Sequence, residues 1–228
     1  MNAMILAAGR GERMRPLTDH CPKPMLPVRG KPLMAYHVER LASAGIKRIV
    51  INLAHLGAQI ESHFGDGARY GVQIRYSHES TALETAGGIR KALDLLGKEP
   101  FLVVNGDIFT DYPFTRLISA QDTQPAHLVL TKNPAHNPTG DFHYTDAGRL
   151  VPVNKTQPPD PDAPGFTFTG IARYAPELFQ NLPPEHHEPL APLLNRWARE
   201  GLLSGEIHTG RWADVGTPQR LRELNETT

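Results

Sequence analysis

Over its first 130 residues the chain alternates short apolar runs with helical stretches, and this alternation leaves very few folds open to it. Residues 3–8 form an apolar run that stops at Gly9. Lys47–Leu53 and Phe101–Val104 are two more, Val72–Tyr76 alternates as a strand does, and His127–Thr131 follows. Between them, Pro32–Ala44 reads as a helix with Pro at its start and Gly45 at its end. Leu56–Phe64 reads as a shorter helix, Thr85–Leu96 as one capped by Thr85, and Phe114–Ala120 as another. The order predicts an α/β fold, a mainly parallel sheet with helices on both faces. Such sheets bind ligands beyond the carboxyl ends of their strands. Gly9 and Asp107 both fall just past strand ends, so their loops are expected on one rim.

After residue 135 the pattern changes. Gly140–Tyr144, Leu150–Val153 and Phe166–Tyr174 read as short strands, and the proline-rich Gln157–Pro164 as a loop. Leu190–Glu200 reads as a helix, Leu203–Ile207 and Arg211–Val215 as strands, and Gly216-Thr217-Pro218 as the start of a last helix. No repeat or linker separates the parts. One domain is expected over residues 1–228, with residues 135–228 forming a smaller lid or insert on the fold built by 1–134.

Lys plus Arg equals Asp plus Glu at 24 each, so there is no net basic field to draw nucleic acid or an anionic membrane, and any anion site must be local. Cys21 is the only cysteine, which rules out an intrachain disulfide or a cysteine-rich metal site and suits a reducing compartment. The apolar N-terminal run carries no charged leader and Arg10 ends it far short of a membrane span, so a buried first strand and a cytoplasmic protein are expected.

The richest stretch for chemistry runs from Leu6 through Ala8, Gly9, Gly11, Glu12, Arg13 and Arg15 to Pro16-Leu17-Thr18, followed by Pro22-Lys23-Pro24. Glycines directly after a strand let the backbone approach a ligand, and their N–H groups can face phosphate oxygens. Arg13, Arg15 and Lys23 add the cations a triphosphate needs. The dinucleotide fingerprint is excluded by Met14, where it wants a third glycine. The P-loop is excluded because no Gly-Lys-Ser/Thr follows Gly11.

Asn105-Gly106-Asp107 places a carboxylate at a strand end, a position suited to Mg²⁺ against substrate phosphates and equally to a plain turn. Asp214, in Trp212–Pro218, is the candidate second carboxylate, and Thr217 before Pro218 makes an N-cap. Gly87 and Gly88 near a helix start admit a flat base or an anion, or form a simple junction. His186-His187-Glu188 lies in proline-rich surroundings and reads as a solvated loop rather than a metal site. Cys21 lies near Lys23, which would lower its pKa, but a passive thiol is the simpler reading. Trp197 and Trp212 read as core or pocket-wall residues.

Taken together, Gly9–Thr18, Pro22-Lys23-Pro24, Leu83–Gly88, Asn105–Asp107, Gly140-Asp141-Phe142 and Trp212–Thr217 resemble the sugar-1-phosphate nucleotidyltransferases, and within them the bacterial branch acting on N-acetylmuramate 1-phosphate with UTP. The resemblance implies a Rossmann-like fold with a nucleotide-binding half and a sugar-binding half. It implies that Ala8, Gly9, Gly11, Glu12, Arg13 and Lys23 line the triphosphate, that Gly87, Gly88 and Asn105 face the nucleoside, and that Asp107 and Asp214 hold Mg²⁺. Gly140, Asp141, Asn154, Thr169 and Gly170 would face the sugar, and Arg13, Lys23 and Asp107 would be catalytic. Two departures stand out: Glu12 where many relatives have Thr, and Val153-Asn154-Lys155-Thr156 where many have Glu-Lys-Pro. A carboxylate at position 12 must pair with Arg13, Arg15 or a metal to sit beside a triphosphate.

The implied small-molecule partners are UTP and a sugar 1-phosphate, in a monomer or small oligomer. The motifs fix neither base nor sugar, which leaves a mannose- or glucose-1-phosphate enzyme using GTP or another triphosphate as the nearest rival. A cytidylyltransferase acting on a phospho-alcohol is a further one. A non-catalytic nucleotide-sugar sensor is the alternative of another kind, and retention of Arg13, Lys23, Asp107 and Asp214 together argues against it.

Overall fold

The computed structural model describes residues 1–120, 124–145, 147–157 and 164–226, so most of the proline-rich loop, 158–163, lies outside the described residues. In chain order the first part consists of strand β1 (Ala3–Leu6), hairpin strands β2 (Pro27–Val28) and β3 (Lys31–Pro32), helix α1 (Leu33–Ser43), β4 (Arg48–Leu53), α2 (Gly57–Phe64), β5 (Gln73–His78), α3 (Glu84–Leu96), β6 (Phe101–Asn105), β7 (Ile108–Thr110), α4 (Thr115–Ser119) and β8 (Ala126–Thr131). The second part adds β9 (Phe142–Tyr144), β10 (Leu150–Pro152), β11 (Gly165–Tyr174), α5 (Glu177–Gln180), α6 (Leu190–Arg199), β12 (Leu203–Ile207), β13 (Trp212–Asp214) and α7 (Pro218–Glu226).

The main sheet runs β10-β9-β11-β6-β1-β4-β5, with β8 beside β11 and β12 beside β8. Strands β6, β1, β4 and β5 are parallel, as the alternation predicts, while β11 is antiparallel to both β6 and β8. The second part is therefore continuous with the first. Its longest strand, β11, extends the sheet directly from β6.

Both faces of β1, β4 and β6 are covered, which explains their apolar runs, while the edge strand β5 alternates between buried and exposed residues. Successive residues of β1 serve opposite cores: Ala3 and Ile5 pack with Val38 and Leu41 of α1, and Met4 packs in the cluster of Ile89 and Leu93 of α3 and Trp197 of α6. A third, smaller core matters most for the site. Met14 packs with Leu26, Leu33, Phe109, Val215 and Leu221, so the long loop after β1 is pinned in its middle. Burying one such side chain contributes about 1.5–3 kcal/mol. The residue that breaks the dinucleotide fingerprint is thus the anchor of its own loop.

Among the strands and α-helices of the described residues, four escape the sequence patterns: the two strands of the β2–β3 hairpin, β7 and α5. The start of α3 also differs from expectation. Thr85 lies inside the helix, whose first residue is Glu84. The Glu79 carboxylate, rather than a Thr cap, accepts the Leu83 N–H at 2.9 Å. At the last helix Thr217 does cap, accepting the Arg220 N–H at 3.3 Å. Among the described residues no helix is long and apolar enough to cross a membrane.

Candidate active site

The carboxyl ends of β1 and β6 define the site. Leu6 pairs with Asn105 in register, and the Gly106 N–H donates to the Leu6 carbonyl at 2.9 Å. A Cβ on Gly106 would lie 2.6 Å from that oxygen, so the turn leading to Asp107 requires glycine. Beyond the turn, β7 pairs antiparallel with β13, which sets Asp214 opposite Ile108. The Val215 N–H donates to the Asp107 carbonyl at 3.0 Å. Two carboxylates far apart in sequence are thereby brought to one cavity of about 610 Å³, lined also by Arg13, His136, Asn137, Lys155 and Trp212. A smaller cavity of about 200 Å³ lies on the other side of the β6 end, lined by Ala8, Gly9, Lys23, Asn52, Glu79 and Thr85 among others. Asn105 and Asp107 belong to both cavities.

The loop after β1 reaches the same junction. Gly11 has φ +66°, and a Cβ there would meet Thr18 Cγ2 at 2.9 Å and Lys23 Cβ at 3.1 Å, so its glycine is needed for both conformation and contact. The Thr18 hydroxyl donates to the Gly11 carbonyl at 2.8 Å and closes the loop. With Met14 buried, Glu12 and Arg13 are left exposed on the short 3₁₀ turn Glu12–Met14. Arg15 pairs with Asp19 at 3.2 Å rather than with Glu12. Lys23 is buried, and its Nζ lies 2.6 Å from Asp107 Oδ2. The proposed phosphate cation and the proposed metal ligand are thus each other's counter-ions here.

Asp214 Oδ2 accepts from Arg220 Nη1 at 2.7 Å and lies 3.3 Å from His136 Nε2. Asp141 faces the larger cavity and also fastens its wall. It accepts the Phe168 N–H at 2.9 Å and lies 2.8 Å from Lys155 Nζ. Thr169 lines that cavity too, but its hydroxyl is spent on the Val129 carbonyl at 2.7 Å, and its own carbonyl accepts Trp212 Nε1–H at 2.9 Å.

Several expected contacts are placed elsewhere. Gly140, with φ +75°, is buried against Asn133 and Phe166 and serves a turn. Gly170, with φ +81°, lies over Asn105, where a Cβ would be 2.5 Å from Nδ2; it makes room for Asn105 at a bulge in β11. Asn154 turns its oxygen back on the Thr156 N–H (3.1 Å) and hydroxyl (2.7 Å), and lines a neighbouring groove rather than the cavity of the two aspartates. Gly87 and Gly88 are buried behind the smaller cavity. A Cβ on Gly87 would collide with the His186 carbonyl at 2.2 Å, and one on Gly88 would lie 2.7 Å from Glu79 Oε1. Burial pushes the Cys21 thiol pKa up, which removes the reactive-thiolate reading.

The sequence patterns did not single out His136, Lys155 and Arg220 around the larger cavity, nor Asn52 and Glu79 around the smaller. The last two stand at the carboxyl ends of β4 and β5, so the strand-end rule that marked Gly9 and Asp107 would have found them.

The family model described as nucleotidyl transferase matches residues 2–228. An N-acetylmuramate α-1-phosphate uridylyltransferase of Neisseria meningitidis is 52% identical over 98% of this chain and 96% of its own length. The Caulobacter vibrioides protein of the same name is 32% identical over 95% and 92%, and a UTP–glucose-1-phosphate uridylyltransferase of Synechocystis is 31% identical over 95% of this chain and 60% of its own. Among solved structures, a Bacillus anthracis protein crystallised with sucrose superposes with a TM-score of 0.85, covering 99% of this chain and 94% of that one at 24% identity, which speaks to the fold alone. The fold, the motif loop with its two-cavity junction, and these matches lead to one conclusion: the chain belongs to the nucleotidyl transferase family, among its sugar-1-phosphate nucleotidyltransferases.

Proposed function

We propose that the chain transfers a uridylyl group from UTP to N-acetylmuramate 1-phosphate, releasing pyrophosphate, with Mg²⁺ as cofactor. The observation that carries the reaction is the junction at Asn105 and Asp107, where a cavity edged by the glycine loop meets one edged by Arg13, Lys155 and Asp214. The choice of base and sugar rests on the likeness to the Neisseria and Caulobacter proteins, the first at 52% identity.

A magnesium ion fits the donor set. Asp107 and Asp214 offer hard oxygens to one cavity, and no larger cluster of acidic, histidine or cysteine ligands occurs among the described residues. Mg²⁺ commonly takes one or two carboxylates and completes its shell with water and substrate phosphates. Bound there, it would supply charge neutralisation between the α-phosphate and the incoming phosphate.

The chain's own residues then have defined work. The smaller cavity holds the nucleoside and the backbone of Gly9 and Gly11 approaches the triphosphate, while the larger cavity holds the sugar phosphate. A sugar-phosphate oxygen attacks the α-phosphorus, the bond from α-phosphorus to the bridging oxygen breaks, and pyrophosphate leaves. The attacking oxygen is already ionised, so no general base is needed, and catalysis rests on holding two anions together. Arg13 and Lys23 face that charge, with Lys23 exchanging Asp107 for phosphate.

The test is pyrophosphate release from Mg²⁺ and each of UTP, GTP, CTP, dTTP and ATP. Each is paired with the 1-phosphates of N-acetylmuramate, N-acetylglucosamine, glucose and mannose. Release confined to UTP with the muramate sugar is expected. Release with another pair would overturn the substrate assignment, and release with none would overturn catalysis.

A further inference from the structure

Glu79 is a buried carboxylate, 6% exposed, that the transfer reaction does not use, and its surroundings are unusually complete. Its backbone N–H donates to the Leu53 carbonyl at 2.8 Å, which ties the end of β5 to the end of β4. One carboxylate oxygen, Oε2, accepts the Leu83 N–H at 2.9 Å. The other, Oε1, accepts from Asn52 Nδ2 at 2.7 Å. Asn52, itself 3% exposed, turns its own oxygen to accept the Ala7 N–H at 2.9 Å. A continuous relay therefore runs from Ala7, where the motif loop leaves β1, through Asn52 and Glu79 to Leu83, where α3 begins.

Two further features admit this relay. Gly88 has no side chain where a Cβ would stand 2.7 Å from Glu79 Oε1 and 2.9 Å from Asn52 Nδ2. The first residue of α3, Glu84, takes φ +62°, a conformation that residues other than Gly, Asn and Asp rarely hold without external restraint. Ala7, Asn52, Glu79, Ala82 and Glu84 all line the smaller cavity, so the relay spans it from one wall to the other. Burial raises the Glu79 carboxyl pKa, and the two donated hydrogen bonds oppose that by favouring the charged acceptor.

We infer that Glu79 and Asn52 are positioning residues that set the width of the nucleotide cavity by fixing the glycine loop and the start of α3 relative to each other. The inference rests on the smaller cavity being the nucleotide site. Its content is a side-chain hydrogen-bond polarity: the side chain at position 52 donates to position 79 and accepts from Ala7, while the side chain at position 79 only accepts. Glu79→Gln puts an amide N–H against either Asn52 Nδ2 or the Leu83 N–H, donor against donor. Asn52→Asp sets two acceptors against each other. Both changes together restore every bond with the polarity of one reversed. The introduced amide at position 79 donates to the introduced carboxylate at position 52. That carboxylate still accepts from Ala7, and the amide oxygen at 79 accepts from Leu83. A buried donor or acceptor left unmatched is expected to cost roughly tenfold in nucleotide affinity.

The experiment is a double-mutant cycle read by UTP titration in Mg²⁺ buffer and by steady-state KM for each substrate. Each single variant should raise the UTP Kd and KM about tenfold, with KM for the sugar phosphate and kcat within about twofold, and the double variant should return to within about threefold of wild type. A double variant no better than the singles would overturn the inference, because the carboxylate at 79 itself would then be what matters. Equal rises in both KM values would overturn it too, in favour of general structural damage. Should one single variant fail to fold, the other single and the double still decide. Wild type that binds UTP without releasing pyrophosphate refutes the proposed reaction while the Kd cycle still reads the relay. Wild type that binds no triphosphate refutes both.

Discussion

The two cavities that meet at Asn105 and Asp107 are built by opposite means. The smaller is walled by the ends of four neighbouring parallel strands and the loop that Met14 pins, and three of its polar residues are buried: Asn52, Glu79 and Lys23 are 3%, 6% and 8% exposed. The larger is walled by antiparallel β11 and β13 and by loops, and Asp141 with Lys155 and Asp214 with His136 pair near solvent. Lys155 and Asp141 have side-chain exposures of 55% and 29%, and His136 has 35%. Buried hydrogen bonds are costly to leave unmade, whereas exposed ion pairs contribute little each. The smaller cavity is therefore a rigid product of topology, and the larger is an adjustable network on the same frame.

Asp107 and Lys23 give the most severe test of this contrast, since Asp107 belongs to both cavities and Lys23 neutralises it. Asp107→Ala and Lys23→Ala are each expected to lower pyrophosphate release roughly 10²–10³-fold while the far-UV circular dichroism of the folded chain persists. Turnover at the wild-type rate in either variant would remove the junction from the chemistry. A collapse of the fold in Asp107→Ala would instead make the pair structural.

Acid should act first on the buried side. His37, on α1, is wholly buried with Nε2 2.8 Å from the Ile108 carbonyl, so it anchors the strand that follows Asp107. Burial lowers its pKa from 6.5 to about 4, with Arg40 lowering it further and the Ile108 bond and Asp107 opposing. The unfolded chain accepts a proton near pH 6.5 that the folded chain refuses until about pH 4. The contribution is thus complete above pH 6.5 and lost as the pH falls through that window, about 3 kcal/mol in all. His37→Gln keeps a donor for Ile108 without titrating. Urea unfolding between pH 6.5 and 4 should show its stability falling with a slope about one proton shallower than wild type, and equal slopes would refute the assignment.

The same contrast explains what could be read from the sequence. The parallel strands, the Gly9–Lys23 loop and the strand-end position of Asp107 follow from local patterns, because each is one apolar run or one punctuated loop. β7 was hidden since Ile108-Phe109-Thr110 directly follows a turn, and three residues carry no period. Its pairing with β13, which brings Asp214 beside Asp107, is a long-range event. The packing around Gly87, Gly88 and Gly170 was not legible for one reason. A sequence shows that a side chain is missing but not which neighbour takes the space, and here the neighbours are the His186 carbonyl, Glu79 and Asn105 rather than open cavity. Asp141 was found through the resemblance, but its bonds to Phe168 and Lys155 were not, because such a network exists only after β9 and β11 have met.

Two adjacent residues on the adjustable side provide the finest discrimination. Asn154 and Lys155 share one turn, yet the Asn154 oxygen is occupied by Thr156, whereas Lys155 reaches into the cavity of the two aspartates and pairs with Asp141 there. A turn capped by one exposed side chain loses only about 0.5–1 kcal/mol when that cap is removed, and other contacts still hold the loop. Asn154→Ala should therefore leave KM for the sugar phosphate within about twofold. Lys155→Ala removes a cation from beside an anionic substrate, and loss of a charge-assisted hydrogen bond predicts a rise of roughly tenfold or more in the same KM, with KM for UTP unmoved. Steady-state kinetics with each substrate varied in turn decides between the two. If Asn154→Ala raised the sugar-phosphate KM as much as Lys155→Ala did, the turn would have to open on binding and present Asn154 to the sugar, and the larger cavity would be more mobile than its ion pairs imply.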